Sequence, residues 1–288
     1  MEKLNNYKVN KILSISLIDN KLDSEKIHIE FQKYFQTKAV LGFDIYKYSK
    51  YPLVEQSLIP YIFKILYEAT IKICLSHETF LFQKYDKDIF QKHFIDTGDG
   101  GFKIFNNPFE AIIFAVYFQA NIQRFNSGFL HNFVELRNLV GEITLRYSLT
   151  NDNVYYLNNN FYGSAIINNA RILSKDKLNR FLIDENSFLW FRKILNGIEN
   201  LKVIDITDFK DIELFDNYDF NEGTSYLFDF EDNSRFLNVN SLKIGEVKAK
   251  QDILSVYSIY IQTFMKSPGK KLEKITVSTG NLNSSGIL

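Results

Sequence analysis

The chain has 288 residues with 34 basic and 34 acidic side chains, so its formal net charge is zero. This balance argues against a nucleic-acid-binding protein that relies on overall positive charge, although a small anionic ligand needs only a few local cations. The single cysteine, Cys74, excludes an internal disulfide and a cysteine-based zinc site. No apolar run approaches the roughly 20 residues of a membrane span. No signal-peptide pattern opens the sequence, so we expect a cytoplasmic protein without a membrane partner.

Changes of pattern along the chain predict three regions. Residues 1–37 form an N-terminal arm, residues 38–220 form the principal domain, and residues 221–288 form a C-terminal extension. In the extension, apolar spacing favours a helix over Ile253–Phe264. The end of the chain, residues 278–288, is rich in Gly, Ser and Asn, which is typical of disorder.

Hydrophobic periodicity and turn residues predict the remaining elements. The first half contains a helix over Ser24–Phe35, a strand over Lys38–Tyr46, a helix over Val54–Ser76 that Pro60 kinks or restarts, a hairpin over His93–Phe105, and a helix from Pro108 that Asn107 caps. The second half contains a half-buried strand over Val140–Leu149, a turn at Asn151–Asn153, a partner strand over Val154–Leu157, a helix over Gly163–Ser174 with Ile166, Ala170 and Leu173 facing inward, a strand over Phe181–Asp184, a helix over Ser187–Leu195, and strands over Leu201–Ile206 and Ile212–Phe215. The β-α-β-β-α-β order indicates an α+β fold with a ferredoxin-like core, extended by one hairpin and a helix.

Two aspartates lie where a metal site would need them. Asp44 interrupts an apolar strand, and a buried carboxylate costs several kcal/mol unless it is paired or bound to a cation. Asp99 lies among glycines at the predicted hairpin tip, where a ligand can approach the backbone closely. The first strand commonly lies beside the hairpin in this order of elements, so the two carboxylates can meet and bind two divalent cations, with the backbone carbonyl of Ile45 as a further ligand. The alternative is that Asp44 caps a turn and Asp99 merely favours one.

Four segments together resemble the class III nucleotidyl cyclases. The segment FDIYKYS, Phe43–Ser49, is similar to the first metal motif of that family, and TGDGGFKIF, Thr97–Phe105, is similar to the second. Arg146 in LRYSL lies where the family has its Arg-Ile-Gly strand. The segment YGSAIINNARI, Tyr162–Ile172, resembles the family helix Gly-x-x-Val-Asn-x-Ala-Ala-Arg. Each motif alone is weak, but the four in order, over about Lys38 to Tyr218, make a strong signal.

The resemblance implies a metal-dependent enzyme. Asp44, Ile45 and Asp99 would bind two Mg²⁺ or Mn²⁺ ions that hold a nucleoside triphosphate and activate its 3′-hydroxyl. Attack on the α-phosphate would give a 3′,5′-cyclic nucleotide and pyrophosphate. Arg171, supplied by the other protomer of a homodimer, would stabilise charge on the α-phosphate.

Departures from the family pattern bear on the substrate and on one catalytic residue. The family's transition-state Asn falls on Ile167, and Asn168 is the candidate substitute, although a helix turns about 100° per residue. Ile95 replaces the adenine-selecting Lys, and Asn160 replaces the base-contacting Asp. The resemblance also places several residues around the nucleotide, namely Phe43, Tyr48, Ser49, Ile95, Asn160 and Lys210. Tyr48 and Tyr51 either contact a small base or pack in the core, and Lys210 either contacts the β- and γ-phosphates or is a surface lysine.

Loss of both adenine determinants resembles the pyrimidine cyclases of the bacterial Pycsar antiphage systems. That resemblance implies cyclic UMP or cyclic CMP as the product, with UTP slightly favoured over CTP as substrate, and a separate effector that the product activates. Two alternatives stay open. The chain is an adenylate or guanylate cyclase with an atypical base pocket, or it is a degenerate cyclase fold that binds a nucleotide or a partner without chemistry.

Overall fold

The computed structural model describes residues 3–19, 21–128, 130–195, 236–248, 253–266, 274–281, 283 and 285–287. The helices are α1 (Asn6–Ile15), α2 (Ser24–Gln32), α3 (Leu53–His77), α4 (Thr79–Phe82), α5 (Lys87–Lys92), α6 (Pro108–Asn126), α7 (Val134–Val140), α8 (Ser164–Lys175) and α9 (Glu185–Leu195). Short 3-10 turns lie at Tyr48–Lys50 and His131–Phe133. The strands are β1 (Leu17–Ile18), β2 (Lys21–Leu22), β3 (Gln36–Ile45), β4 (Phe94–Asp96), β5 (Gly100–Phe105), β6 (Leu145–Leu157), β7 (Asn160–Tyr162), β8 (Phe181–Asp184), β9 (Phe236–Lys248), β10 (Ile253–Lys266) and β11 (Lys274–Thr279).

The principal sheet confirms the predicted ferredoxin-like core. Its order across the described strands is β11-β10-β8-β6-β3-β5-β4, with β7 beside β6 and β9 beside β10. The segment β3-α3-β4-β5-α6-β6 places its strands in the order β6-β3-β5-β4, and each neighbouring pair is antiparallel. Strand β8 then joins β6 in parallel after α8, as a helical crossover allows. The predicted boundaries of the three regions stay a prediction.

Helices cover both faces of the sheet around β3. On one face, α3 and α6 pack on the alternate residues Leu41 and Phe43. On the other face, α8 contacts β3 and β6, and Val40 packs against Ala165 in a smaller cluster. The centre of the sheet is therefore buried on both sides. For this reason β6, where the sequence predicts a half-buried strand, is fully buried at residues 147–150.

Local chemistry explains the two long helices. Helix α6 begins at Pro108, and the side chain of Asn107 accepts a hydrogen bond from the Glu110 N–H, as a helix cap does. Helix α3 runs without interruption through Pro60, so the expected restart there is wrong. Proline has no N–H to donate to the carbonyl four residues earlier. That carbonyl, of Gln56, instead accepts the hydroxyl of Tyr48 at 2.6 Å.

Several predicted elements differ from the structure. Strand β6 continues through the expected turn at Asn151–Asn153, because these residues pair with Thr37 to Ala39 of β3. The expected helix over Ile253–Phe264 is strand β10, since short apolar runs fit either element and strands β8, β9 and β11 supply its partners. Disorder is wrong for the described part of the chain end: Ser278 and Thr279 lie in β11, and the Ile287 N–H donates to the Ile244 carbonyl at 3.1 Å.

The residues of α8 that face the sheet include Ala165, Asn169 and Ile172, whereas Ala170 of the expected inward set is exposed. The expected strands over residues 201–206 and 212–215 lie outside the described residues. Among the helices that the structure describes, none has the length and apolar character needed to cross a bilayer.

Candidate metal and nucleotide site

Asp44 lies near the end of β3 between two neighbouring strands. It is opposite Gly100 on β5 and opposite Arg146 on β6. Its side chain is only 15% exposed. Burial raises the pKa of Asp44, the hydrogen bond from Arg146 opposes that effect, and the negative charges of Asp99 and Asp176 raise the pKa further. The carboxylate therefore needs a nearby cation to stay ionised at low cost.

Arg146 supplies such a charge. Its Nε donates to Asp44 Oδ1 at 2.5 Å and its Nη2 donates to Oδ2 at 2.7 Å, which is the two-pronged geometry that arginine forms with carboxylates. Its Nη1 donates to the carbonyl of Asp176, at the end of α8. One guanidinium thus joins the end of β3 to the end of α8.

The hairpin between β4 and β5 brings Asp99 beside Asp44. The Ile45 N–H donates to the Asp99 carbonyl at 3.0 Å. Asp96 stabilises the turn, because its Oδ1 accepts the N–H of Gly98, which has a φ of 95° that suits glycine. At Gly100 an added Cβ would lie 2.6 Å from the Cα of Asp44, so the glycine permits the two strands to approach closely. The side chain of Asp96 thus bonds within the turn.

The residues present fit a hard divalent cation. Asp44 and Asp99 offer carboxylate oxygens on adjacent elements, and their mutual repulsion is the condition that bound cations relieve. Among the described residues, no group of three or more His, Cys, Asp or Glu side chains could hold a metal ion. A pair of carboxylates leaves the remaining coordination positions to water and to a phosphorylated ligand, which is how Mg²⁺ is commonly held. The contribution of the Ile45 carbonyl stays a prediction.

Helix α8 carries Arg171 and Asn168 on its outer side. Arg171 is half-buried, and its Nη1 donates to Asn168 Oδ1 at 3.2 Å. Ile167, which occupies the family's Asn position, is 52% exposed. Asn168 is thus the polar side chain beside the arginine, and its role as substitute for the family's Asn stays a prediction.

Asn169 bonds helix α8 to the sheet. It is fully buried, and its Nδ2 donates to the Val40 carbonyl at 2.6 Å and to the Ser148 carbonyl at 3.1 Å. Gly42 leaves room for it, since an added Cβ there would clash with the Asn169 amide. The helix is therefore held to β3 and β6 by hydrogen bonds as well as by apolar packing.

Several residues expected around the nucleotide form contacts within the fold. The ring of Phe43 is fully buried and stacks with Phe94 at 5.9 Å between ring centroids, so its side chain belongs to the core and not to the site. The Tyr48 hydroxyl is bonded to a carbonyl of α3, and the Tyr51 hydroxyl donates to the Glu142 carbonyl at 2.8 Å, so both phenols have structural partners. Both also pack against the main core, as the structural alternative predicted.

The other expected contacts are divided among separate elements. Ile95 on β4 packs against the small cluster beneath α8. Asn160 begins β7 and accepts the N–H of Phe161 at 2.9 Å. Ser49 lies in the 3-10 turn after β3, and Lys210 lies outside the described residues.

Sequence reasoning missed the pairing of Arg146 with Asp44. The signal was present, because Arg146 lies on the polar side of an alternating strand. The register that sets it opposite Asp44 joins residues 102 positions apart in the chain, which periodicity does not reveal.

Comparison with solved structures returns nucleotide cyclases. An adenylate/guanylate cyclase/hydrolase from Silicibacter pomeroyi is 14% identical with a TM-score of 0.40, over 78% of this chain and 96% of that one. The adenylyl cyclase CyaB from P. aeruginosa is 9% identical with a TM-score of 0.42, over 78% and 95%. A dimeric guanylyl cyclase domain of the RhoGC fusion protein from Blastocladiella emersonii is 12% identical with a TM-score of 0.43, over 78% and 97%. No protein-family model and no curated protein matches the sequence. Similarity at this level concerns backbone arrangement and carries no information about substrate.

Proposed function

We propose that this protein is a metal-dependent nucleotidyl cyclase of class III. The observation that carries the proposal is the buried carboxylate of Asp44 beside Asp99, on the two motifs that resemble the metal motifs of that family. The charge of Asp99 acts on Asp44 across the β3–β5 pair, which supports a shared site for divalent cations.

The reaction is an internal phosphoryl transfer. The 3′-oxygen of the ribose forms a bond to the α-phosphorus, the bond from that phosphorus to the bridging oxygen of the β-phosphate breaks, and pyrophosphate leaves. Bound divalent cations would neutralise phosphate charge and favour loss of the 3′-hydroxyl proton. Asp44 and Asp99 would hold the cations, Arg171 would balance charge at the α-phosphate, and Asn168, which accepts a hydrogen bond from Arg171, would hold it in position.

The substrate we propose is a pyrimidine nucleoside triphosphate, UTP before CTP. Two features support it: Ile95 is apolar and packs in a small cluster, and the side-chain oxygen of Asn160 accepts a neighbouring N–H. Neither provides the Lys and Asp pair that selects adenine in the family. By the same resemblance we propose that the cyclic product serves antiphage defence and acts on a separate effector.

A homodimer completes the proposal. Arg171 lies on the outer side of α8, away from the buried residues that bond α8 to the sheet, where a second protomer can receive it. Mixing Asp44→Asn with Arg171→Ala tests this arrangement, because each mixed dimer would hold one site with both residues intact. We expect two inactive variants to regain about a quarter of wild-type activity when subunits exchange freely. No regain would show that both residues act within one protomer.

The decisive assay offers all four nucleoside triphosphates together with Mn²⁺ and identifies the products by mass spectrometry. Cyclic UMP or cyclic CMP is expected, with a loss of at least about 100-fold in Asp44→Asn or Asp99→Asn. Asp96→Asn is the matched control, because it removes a neighbouring carboxylate that bonds only within the turn among the described residues. Products from ATP or GTP alone would refute the pyrimidine preference.

The second candidate is a protein that binds nucleotide without cyclisation. The ion pair with Arg146 favours it, because it already compensates the charge of Asp44. Nucleotide binding without pyrophosphate release, at saturating Mn²⁺, would establish this reading.

A further inference from the structure

A cavity of about 350 Å³ lies at the opposite end of β3 from Asp44. Lys38, which lines it, is six residues before Asp44 on the same strand. At about 3.3 Å per residue the two Cα atoms are roughly 20 Å apart. The cavity is therefore separate from the candidate metal site and from the function proposed there.

Positive charge dominates the rim of the cavity. Four lysines line it: Lys3, Lys38, Lys84 and Lys92. They come from the N-terminal segment, β3, the turn after α4 and the end of α5. Lys3, Lys84 and Lys92 are exposed, and none of these three forms an ion pair with a carboxylate among the described residues. Burial lowers the pKa of Lys38, and the negative charge of Glu110 opposes that effect. The positive charge of Lys84 lowers the pKa of Lys38 further, because the two lysines repel each other.

The carboxylate of Glu110, which lies near Lys38, already accepts hydrogen bonds from neighbouring groups. Glu110 is 4% exposed, and its Oε2 accepts the Tyr85 hydroxyl at 2.6 Å and the Asn106 N–H at 3.0 Å. Its Oε1 accepts from the Asn107 amide at 2.8 Å. Glu110 and the exposed Asp86, whose charge acts on His93, are two acids against four lysines, so positive charge remains in excess at the mouth and favours a ligand with more than one negative charge.

The floor of the cavity is aromatic and apolar. Phe105, Phe161 and Ile104 line it together with His93. Burial, together with the positive charges of Lys103 and Lys38, lowers the pKa of His93 to about 4, so its ring is neutral near pH 7. A neutral imidazole has one donor and one acceptor nitrogen, which can bond to polar atoms on the ring of a ligand. A site with an apolar floor, a few polar groups and this volume matches a small-molecule pocket.

We propose that this cavity binds a small phosphorylated ligand with a flat ring, of the size of a nucleoside monophosphate. The phosphate lies among the lysines and the ring lies over the aromatic floor. Lys3 completes the site, since its Nζ lies 5.5 Å from the Tyr156 ring centroid and the adjacent Leu4 N–H is bonded to the Tyr156 carbonyl at 2.9 Å. The N-terminal segment, bonded to β6 through Leu4, thus brings Lys3 to the cavity.

Calorimetric titration of the full chain with UMP, in EDTA, tests the proposal. Uridine is the matched probe without phosphate, and inorganic phosphate is the probe without a ring. We expect UMP to bind at least about tenfold more tightly than either. The paired change Lys84→Gln and Lys92→Gln is expected to weaken UMP binding by about tenfold or more, whereas Lys87→Gln, an exposed lysine of α5 outside the cavity, leaves it unchanged. Equal binding of uridine and UMP, or of phosphate and UMP, would overturn the proposal.

Two active-site variants separate this cavity from the cyclase proposal. Asp44→Asn and Arg171→Ala are expected to bind UMP like the wild type, even if each abolishes cyclisation. Loss of UMP binding in these variants, with none in the lysine pair, would place UMP in the candidate active site and refute the inference. Absence of cyclase activity would leave the expected UMP binding untouched.

Labelling with pyridoxal 5′-phosphate gives a second measurement. Its aldehyde condenses with a lysine amine to an imine and water, and borohydride then reduces the imine to a stable secondary amine. Peptide mass spectrometry is expected to find Lys38, Lys84 or Lys92 labelled first, with protection by UMP and much slower labelling by pyridoxal. Even labelling of all exposed lysines would contradict the proposed site.

Discussion

Arg146 holds Asp44 through two hydrogen bonds of 2.5 and 2.7 Å, between neighbouring internal strands of the sheet. The side chains of Asp44 and Arg146 are only 15% and 23% exposed, so each depends on the other for charge compensation. A cation that binds Asp44 must share this carboxylate with the guanidinium or displace it. The ion pair is therefore a structural contact in the free protein and a competitor of metal binding.

Arg146→Gln should lower the free energy of unfolding by about 2 kcal/mol, because it leaves a mostly buried carboxylate without its cation. Mn²⁺ should then raise the melting temperature of this variant more than that of the wild type, since the metal replaces the lost charge. Urea unfolding and thermal melts with and without Mn²⁺ measure both effects.

The control is Lys33→Gln, which breaks an exposed pair with Glu30 and should change stability by less than about 1 kcal/mol. An equal Mn²⁺ response in Arg146→Gln and in the double variant Arg146→Gln/Asp44→Asn would contradict a metal site at Asp44.

Asn168→Ala and Asn169→Ala should separate function from stability on one helix. Asn169 is fully buried with donated hydrogen bonds to two strands, so its loss should cost about 2–3 kcal/mol of unfolding free energy. Asn168 contacts Arg171, so its loss should leave stability within about 0.5 kcal/mol and reduce cyclisation by about tenfold or more. Urea unfolding and initial rates give the two readouts. Unchanged stability in Asn169→Ala would show that the helix is held by apolar packing alone.

Gly100→Ala should damage both the fold and the candidate metal site. The new Cβ would lie 2.6 Å from the Cα and 2.9 Å from the Cβ of Asp44, so β3 and β5 must separate. We expect a loss of about 1–3 kcal/mol and a loss of activity that added Mn²⁺ does not restore. Gly286→Ala is the control, because its nearest neighbour would be a carbonyl oxygen at 3.3 Å. Wild-type stability of Gly100→Ala would show that the two strands are further apart.

Asp184 should give stability a measurable dependence on pH. Burial raises the pKa of Asp184 to about 6, while its hydrogen bonds from Ser187 and Asn151 oppose the rise. Because the folded protein then binds a proton more readily than the unfolded chain, this group favours the folded state increasingly as pH falls from about 6 toward 4. Unfolding titrations between these pH values should show that stability depends less on pH in Asp184→Asn than in the wild type. Glu185→Gln, which removes the adjacent exposed carboxylate, should keep the dependence that Asp184 causes. Identical profiles for Asp184→Asn and the wild type would refute the shift.

Local patterns were enough to predict the elements that carry their own signals. The Asn107-Pro108 start of α6 and the glycine-flanked Asp99 are examples, because capping and turn formation depend on a few adjacent residues. The apolar spacing of β10 favours a helix, because it does not reveal the distant strands that pair with this segment.

Contacts between distant segments could not be predicted. The hydroxyl of Tyr48 donates to the Gln56 carbonyl of α3, a contact that no local pattern indicates. The four lysines of the cavity likewise come from separate elements, and no local pattern marks the cavity. Asp44 and Asp99 could be selected as candidates from the sequence, because an isolated charge in an apolar run and an aspartate between glycines stand out without knowledge of the fold.

The burial of Asn169 bears on how freely this protein can change over evolution. Since the inner side of α8 is hydrogen-bonded to the sheet, substitutions on its outer surface need not change the position of the Arg171 backbone relative to the sheet. A lineage could thus change the residues around the arginine while the arginine itself keeps its position.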